Sequence, residues 1–172
     1  EVLDQAEANA KSDNLKLELA QILRLRSSVY FFKGDADACL ETSQAMLGYA
    51  REAESLELEA RALSGIGDAE YMRGRFTSAD QYFSQCIEIA RQNGFGRLIG
   101  PNLMMRGYMA HWRNEQQTRN AMYEESAELA LMTHDLRNQL HVLTGGIWWA
   151  EMGDFEKSWD WLDRALIVSK KL

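Results

Sequence analysis

Proline is almost missing from this chain, with a single residue, Pro101, among 172. Together with only 12 glycines, that scarcity excludes a loop-rich or low-complexity organisation and lets helices run unbroken. Cysteine is scarce as well. Cys39 and Cys86 are the two, both within helical patterns and without metal-ligand neighbours. Packed, reduced thiols in a cytoplasmic protein are expected. No apolar run approaches the ~18–20 residues needed to cross a bilayer, so no membrane contact is expected. Basic charge is the last shortage: 19 Lys and Arg stand against 26 Asp and Glu, a net charge of −7. Nucleic-acid binders neutralise phosphates with a net basic surface, so direct contact with nucleic acid is not expected.

Chemistry-bearing motifs are equally thin. Gly65-Ile66-Gly67 lacks the third glycine and the preceding strand of a dinucleotide loop, and no GxxxxGK phosphate loop occurs. His111, His134 and His141 form no HExxH pattern and join no cysteine cluster. The carboxylate pair Glu124-Glu125 reads as a solvated outer helix face. No catalytic residue, metal or cofactor is expected, and an enzyme is the weakest functional class.

What the chain does have is a repeat. Gly34, Gly74, Asn114 and Gly153 are spaced by 40, 40 and 39 residues. Sixteen residues after each stand Ala50, Ala90, Ala130 and Ser169, and seven before each stand Ser27, Gly67, Gly107 and Gly146. Apolar residues at three- and four-residue steps, such as Leu19, Leu23, Val29 and Tyr30, give each unit two amphipathic helices joined at the turn residue. The helices are expected over about 15–33, 36–54, 56–73, 77–92, 98–113, 116–133, 136–152 and 155–171. Pro101 belongs in a first helical turn, which starts its helix near Leu98–Pro101. Glu1–Ala10 aligns one period before Glu41–Ala50, so the chain is expected to begin midway through the second helix of an earlier repeat, as a piece of a longer protein. The expected organisation is one domain over 1–172, with a remnant helix at 1–13 and repeats at 15–54, 55–94, 95–134 and 135–172.

A mid-helix glycine costs about 1 kcal/mol relative to alanine. The column Gly67, Gly107 and Gly146 therefore implies a compensating contact, expected to be close backbone approach of the partner helix. One helix pair cannot bury its own apolar face, so neighbouring pairs must stack and share a continuous core.

These columns resemble tetratricopeptide (TPR) repeats. The family places a small residue on helix one and an aromatic three residues later, matched here by Ser27 with Tyr30 and by Gly146 with Trp149. Glu70 and Ala110 depart from that aromatic. The alanine and aromatic of helix two appear as Ala79 and Phe83, weaken to Ser158 and Leu162, and weaken further to Arg119 and Tyr123. The period exceeds the family's 34 residues and the closing proline is absent, which keeps a HEAT-like hairpin repeat as the alternative fold. The resemblance implies an all-α, right-handed superhelical stack of antiparallel helix pairs. It is similar to the long-period repeats attached to bacterial signalling or regulatory proteins.

By that resemblance the first helices line a concave groove that binds a peptide or protein segment. The groove positions fall on Arg24, Phe31, Arg61, Asp68, Tyr71, Met104, Arg106, Tyr108, His111 and Trp112. The stretch from Arg97 to Arg113 carries arginines and no acid in an acidic chain, with Met, Tyr and Trp of the kind that anchor interfaces. An acidic, partly apolar partner is expected. A regulatory sensor domain that binds a small ligand or peptide and modulates a linked effector is the alternative function. Trp148 and Trp159 match no core column, and they mark a face for domain docking or for a homodimer through the last repeat.

Overall fold

Short polar turns and long amphipathic runs convert into helices with few exceptions. The structure, a computed structural model, describes residues 1–132 and 135–172. Thr133, the expected end of a helix, and His134 lie outside the described residues. Among the described residues there are ten helical segments and no strand: α1 (Val2–Ser12), α2 (Lys16–Lys33), α3 (Ala36–Glu52), α4 (Leu56–Met72), α5 (Phe76–Asn93), α6 (Gly96–Trp112), α7 (Gln116–Met132), α8 (Leu136–Leu143), α9 (Gly146–Glu151) and α10 (Phe155–Ser169). They form two compact units, 1–95 and 96–172.

In the first unit α2 packs on α3, α3 on α4 and α4 on α5, with α1 against α2 and α2 also against α4. Gly34 and Gly74 turn the chain with φ of 73° and 72°, a left-handed conformation that glycine adopts without steric cost. Asp35 then caps α3 through the Ala38 amide at 3.1 Å. A second set of left-handed residues, Asn14, Glu54 and Gly94, recurs at the joints between pairs. Sequence reading found only the glycine of this set, because Glu54 carries no turn signature. Ala20, Leu23, Met46, Ala50, Leu58 and Ala62 form a core cluster across α2, α3 and α4. Val29, expected on the apolar face, is exposed.

In the second unit α6 packs on α7 and α8, α7 on α8, and α10 on α8 and α9. Its core gathers Met104, Tyr123, Val142, Leu143, Trp149 and Trp161. Two expectations fail here. Pro101 lies inside α6, which begins at Gly96, so the proline sits in the second turn, where its ring meets the fourth residue back and its missing N–H breaks a helical bond. The Asn102 side-chain amide donates to the Leu98 carbonyl at 2.6 Å in that same turn. The expected helix over 136–152 is also interrupted, between α8 and α9 at Thr144-Gly145. Thr144 Oγ1 donates to the His141 carbonyl at 2.7 Å, the Trp148 amide reaches the Gly145 carbonyl three residues back at 3.0 Å, and Met104 Cε fills the space a Gly145 side chain would need.

The glycine column has a different cause from the one expected. A Cβ on Gly67 would lie 2.6 Å from Phe83 Cε1, and one on Gly107 would collide with the Tyr123 ring. A partner side chain, not a partner backbone, fills the notch in both. Only at Gly146 does a backbone atom come close as well, the Ser158 carbonyl at 3.2 Å. In the α2–α3 pair two small residues meet at the corresponding positions, Ser27 Oγ and Ser43 Oγ at 2.7 Å.

Candidate functional site

The first helices of the first unit, α2 and α4, leave an open cavity of about 320 Å³ between them. Arg24 from α2 and Arg61 from α4 both line it, with Leu17, Gln21, Ser55, Glu57 and Leu58 completing the wall. One helical turn separates Glu57 from Arg61, which places both on one face. Arg61 Nε and Nη2 donate to Glu57 Oε1 at 3.1 and 2.7 Å. Arg24 makes no ion pair among the described residues. The cavity thus holds one neutralised and one uncompensated guanidinium, a combination that favours an acidic group.

The remaining expected groove residues of this unit do not line the cavity. Phe31 stands edge-on to Phe32 at 5.7 Å. Tyr71 tilts against Phe76 at 5.6 Å. Asp68 is half-buried in α4, and loss of hydration pushes its carboxyl up to about 7. The same loss of hydration, with the Asp68 charge nearby, pushes the buried Cys86 thiol up to about 12, which makes it an inert packing group. A larger cavity of about 600 Å³ lies between α1, α2 and α3, but both cations in it are paired, Arg26 with Asp4 at 2.8 Å and Glu7 at 3.0 Å and Lys11 with Glu7 at 2.7 Å.

In the second unit the expected residues separate by depth. Met104 is 4% exposed and belongs to the core cluster, so it is a packing residue and does not face a groove. Its neighbours along α6 explain this, since Leu103 and Gly107 are buried beside it. Arg106 is half-buried. Tyr108 stacks on Trp148 at 4.7 Å and meets Trp112 edge-on at 5.9 Å. His111 lies 5.8 Å from the Trp112 ring, which is 60% exposed. Trp148 also leans on Tyr123 at 5.5 Å and packs against the core, whereas Trp159 projects from α10 with 67% of its surface exposed.

Sequence reading missed Gln21, Ser55 and Glu57, whose polar character carries no signal of its own. It also treated Arg119 only as a decayed alanine position. Arg119 is 8% exposed, and its Nη1 lies 3.3 Å from His111 Nδ1. Among the described residues no three metal-ligating side chains come together, and no helix is long and apolar enough to cross a membrane.

Comparison with known proteins fits this geometry. The sequence profile of the tetratricopeptide repeat matches residues 18–92. No curated protein matches the sequence. Among solved structures, the chain is similar to BtubC (BKLC) from P. vanneervenii, with a TM-score of 0.76 at 14% identity over 99% of this chain and 70% of that one. At that identity the likeness concerns the fold alone. Tetratricopeptide repeats generally mediate protein–protein interaction and generally act as non-catalytic scaffolds. Residues 18–92 thus match the tetratricopeptide repeat, and with successive helix pairs among the described residues the chain has a TPR-like helical-repeat fold.

Proposed function

We propose that the domain is a protein-interaction module that captures an acidic, partly apolar segment along its first helices. The observation that carries this reading is the open α2–α4 cavity, where Arg24 and Arg61 converge from two helices and Arg24 has no counter-ion among the described residues. In a chain of net charge −7, an uncompensated arginine beside an open cavity is a local reversal of sign. A carboxylate docking there exchanges little internal pairing, because only Arg61 must loosen its hold on Glu57. Leu17 and Leu58 at the cavity wall offer the apolar contact.

Selection of a random peptide display library against the purified domain tests this reading. Enriched peptides should carry acidic residues next to an aromatic or aliphatic one. Their affinity should fall on the order of a hundredfold in the double variant Arg24→Glu, Arg61→Glu, about tenfold per reversed contact. Melting should fall only slightly, by the loss of the half-exposed Arg61–Glu57 pair and the like charges that replace it. Enrichment of neutral peptides, or binding indifferent to the double reversal, would sink the assignment.

A further inference from the structure

Arg119 is out of place in the repeat. The same column holds Cys39, Ala79 and Ser158 in the other pairs, all small and all buried. Nine residues earlier, helix one supplies a large side chain in those pairs, Tyr30, Glu70 or Trp149, but Ala110 in this one. Size is therefore exchanged between the two helices, and the side chain that fills the interior of the α6–α7 pair carries a permanent charge.

Burying a guanidinium without a counter-ion costs several kcal/mol in general. Arg119 has neutral partners only: Asn120 Oδ1 accepts from Nε at 3.0 Å, and His111 Nδ1 lies 3.3 Å from Nη1. No carboxylate pairs with it among the described residues. Glu70, the other buried charge in a corresponding column, shows what is missing, because Arg73 and Arg75 stand 3.4 and 3.5 Å from its carboxylate. The position adds to the deficit. Arg119 lies in the first turn of α7, a turn with no acidic residue of its own, and Glu115, which precedes that turn, is taken by Arg113 at 2.9 Å; the aligned peptide dipoles there add positive potential. The His111 contact works as a hydrogen bond with Nδ1 as acceptor, which leaves the ring proton on Nε2, available to a further acceptor.

We propose that Arg119, His111 and the first turn of α7 form a receiving site for a carboxylate brought by a binding partner, with Trp112 and Tyr108 as its aromatic wall. The carboxylate takes the guanidinium's free N–H groups and the His111 Nε2–H, and it supplies the counter-charge that the fold omits. This site stands on Arg119 and not on the α2–α4 cavity, so neither test decides the other. The column position explains why sequence reading passes over it: a cation there looks like decay of an alanine.

The test is an NMR titration of the ¹⁵N-labelled chain with sodium acetate, against sodium phosphate and sodium chloride at matched ionic strength. Acetate should produce saturable shifts of the Arg119 Nε and Trp112 Nε1 resonances that chloride does not produce. Arg119→Gln should weaken acetate binding by about tenfold or more, Arg119→Lys should restore part of it, and Arg113→Gln should leave it unchanged. N-acetylglycine and the α-amide of N-acetylglutamate, titrated in parallel, separate a chain-end carboxylate from a side-chain one by their relative affinity. Absence of saturable acetate shifts in the wild-type chain overturns the proposal, and that arm depends on no variant folding. Shifts that survive Arg119→Gln in a folded variant, or phosphate binding tighter than every carboxylate probe, overturn it as well.

Discussion

In the α4–α5 pair a buried carboxylate, Glu70, stands between Arg73 and Arg75; in the α6–α7 pair a buried guanidinium, Arg119, stands beside a histidine and an asparagine. Both pairs share one packing device, a helix-one glycine notched to take a helix-two ring: Gly67 receives Phe83, and Gly107 receives Tyr123. The apolar geometry is therefore repeated while the electrostatics are not. Where a charge is compensated internally it serves the fold. Where it is left uncompensated, it is available to something outside the fold.

The notch gives the largest effect. Phe83→Ala should cost about 3–5 kcal/mol in urea unfolding, through lost burial and the cavity left behind. Gly67→Ala should cost about 1–3 kcal/mol, because its new Cβ would press on the Phe83 ring. The double variant should cost clearly less than the sum, since each change relieves the other; strict additivity would mean that the ring and the glycine do not share one space.

The two buried charges come next and separate the pairs directly. Glu70→Met should destabilise by about 1–2 kcal/mol, leaving Arg73 and Arg75 without their common partner. Arg119→Met should be neutral or stabilising by about 1 kcal/mol, because it removes a buried charge that no internal acid offsets. Equal losses from both substitutions would erase the distinction drawn here.

Asp68 gives a pH signature. The folded carboxyl holds its proton up to about pH 7, whereas the unfolded one releases it near its ordinary value of 3.8. Stability should therefore fall as pH rises between those values and stay lower above them. Asp68→Asn should remove that slope, matching the parent near pH 4 and exceeding it by up to about 4 kcal/mol near pH 8. Parallel stability–pH curves for the two proteins would show that Asp68 remains hydrated.

Much of the architecture is legible in the sequence. Turn residues at fixed intervals, small columns in register and three- to four-residue apolar steps place nearly every helix within a few residues, because those signals act through local backbone preference and burial. The misses have non-local causes. Thr144-Gly145 breaks a helix where Met104, from another helix, occupies the space beside the glycine. Met104 itself reads as an adaptable groove residue but is core, because burial depends on what packs over a helix face and not on the face's composition. For the candidate sites, Arg24 and Arg61 were visible as basic groove positions, yet only packing brings them to one cavity.

By itself the sequence determined the all-helical class, the period of about 40 residues, the pairing of helices across each turn and the family resemblance. Each of these rests on interactions within one or two helices, where spacing along the chain sets proximity in space. The tertiary structure alone decided which side chain fills each glycine notch, which expected groove residues are core, and which charges find internal partners. Those outcomes depend on contacts between residues distant in sequence. That is why Arg119, read along the chain as a lapse in the pattern, is in the folded protein a buried cation without its counter-charge.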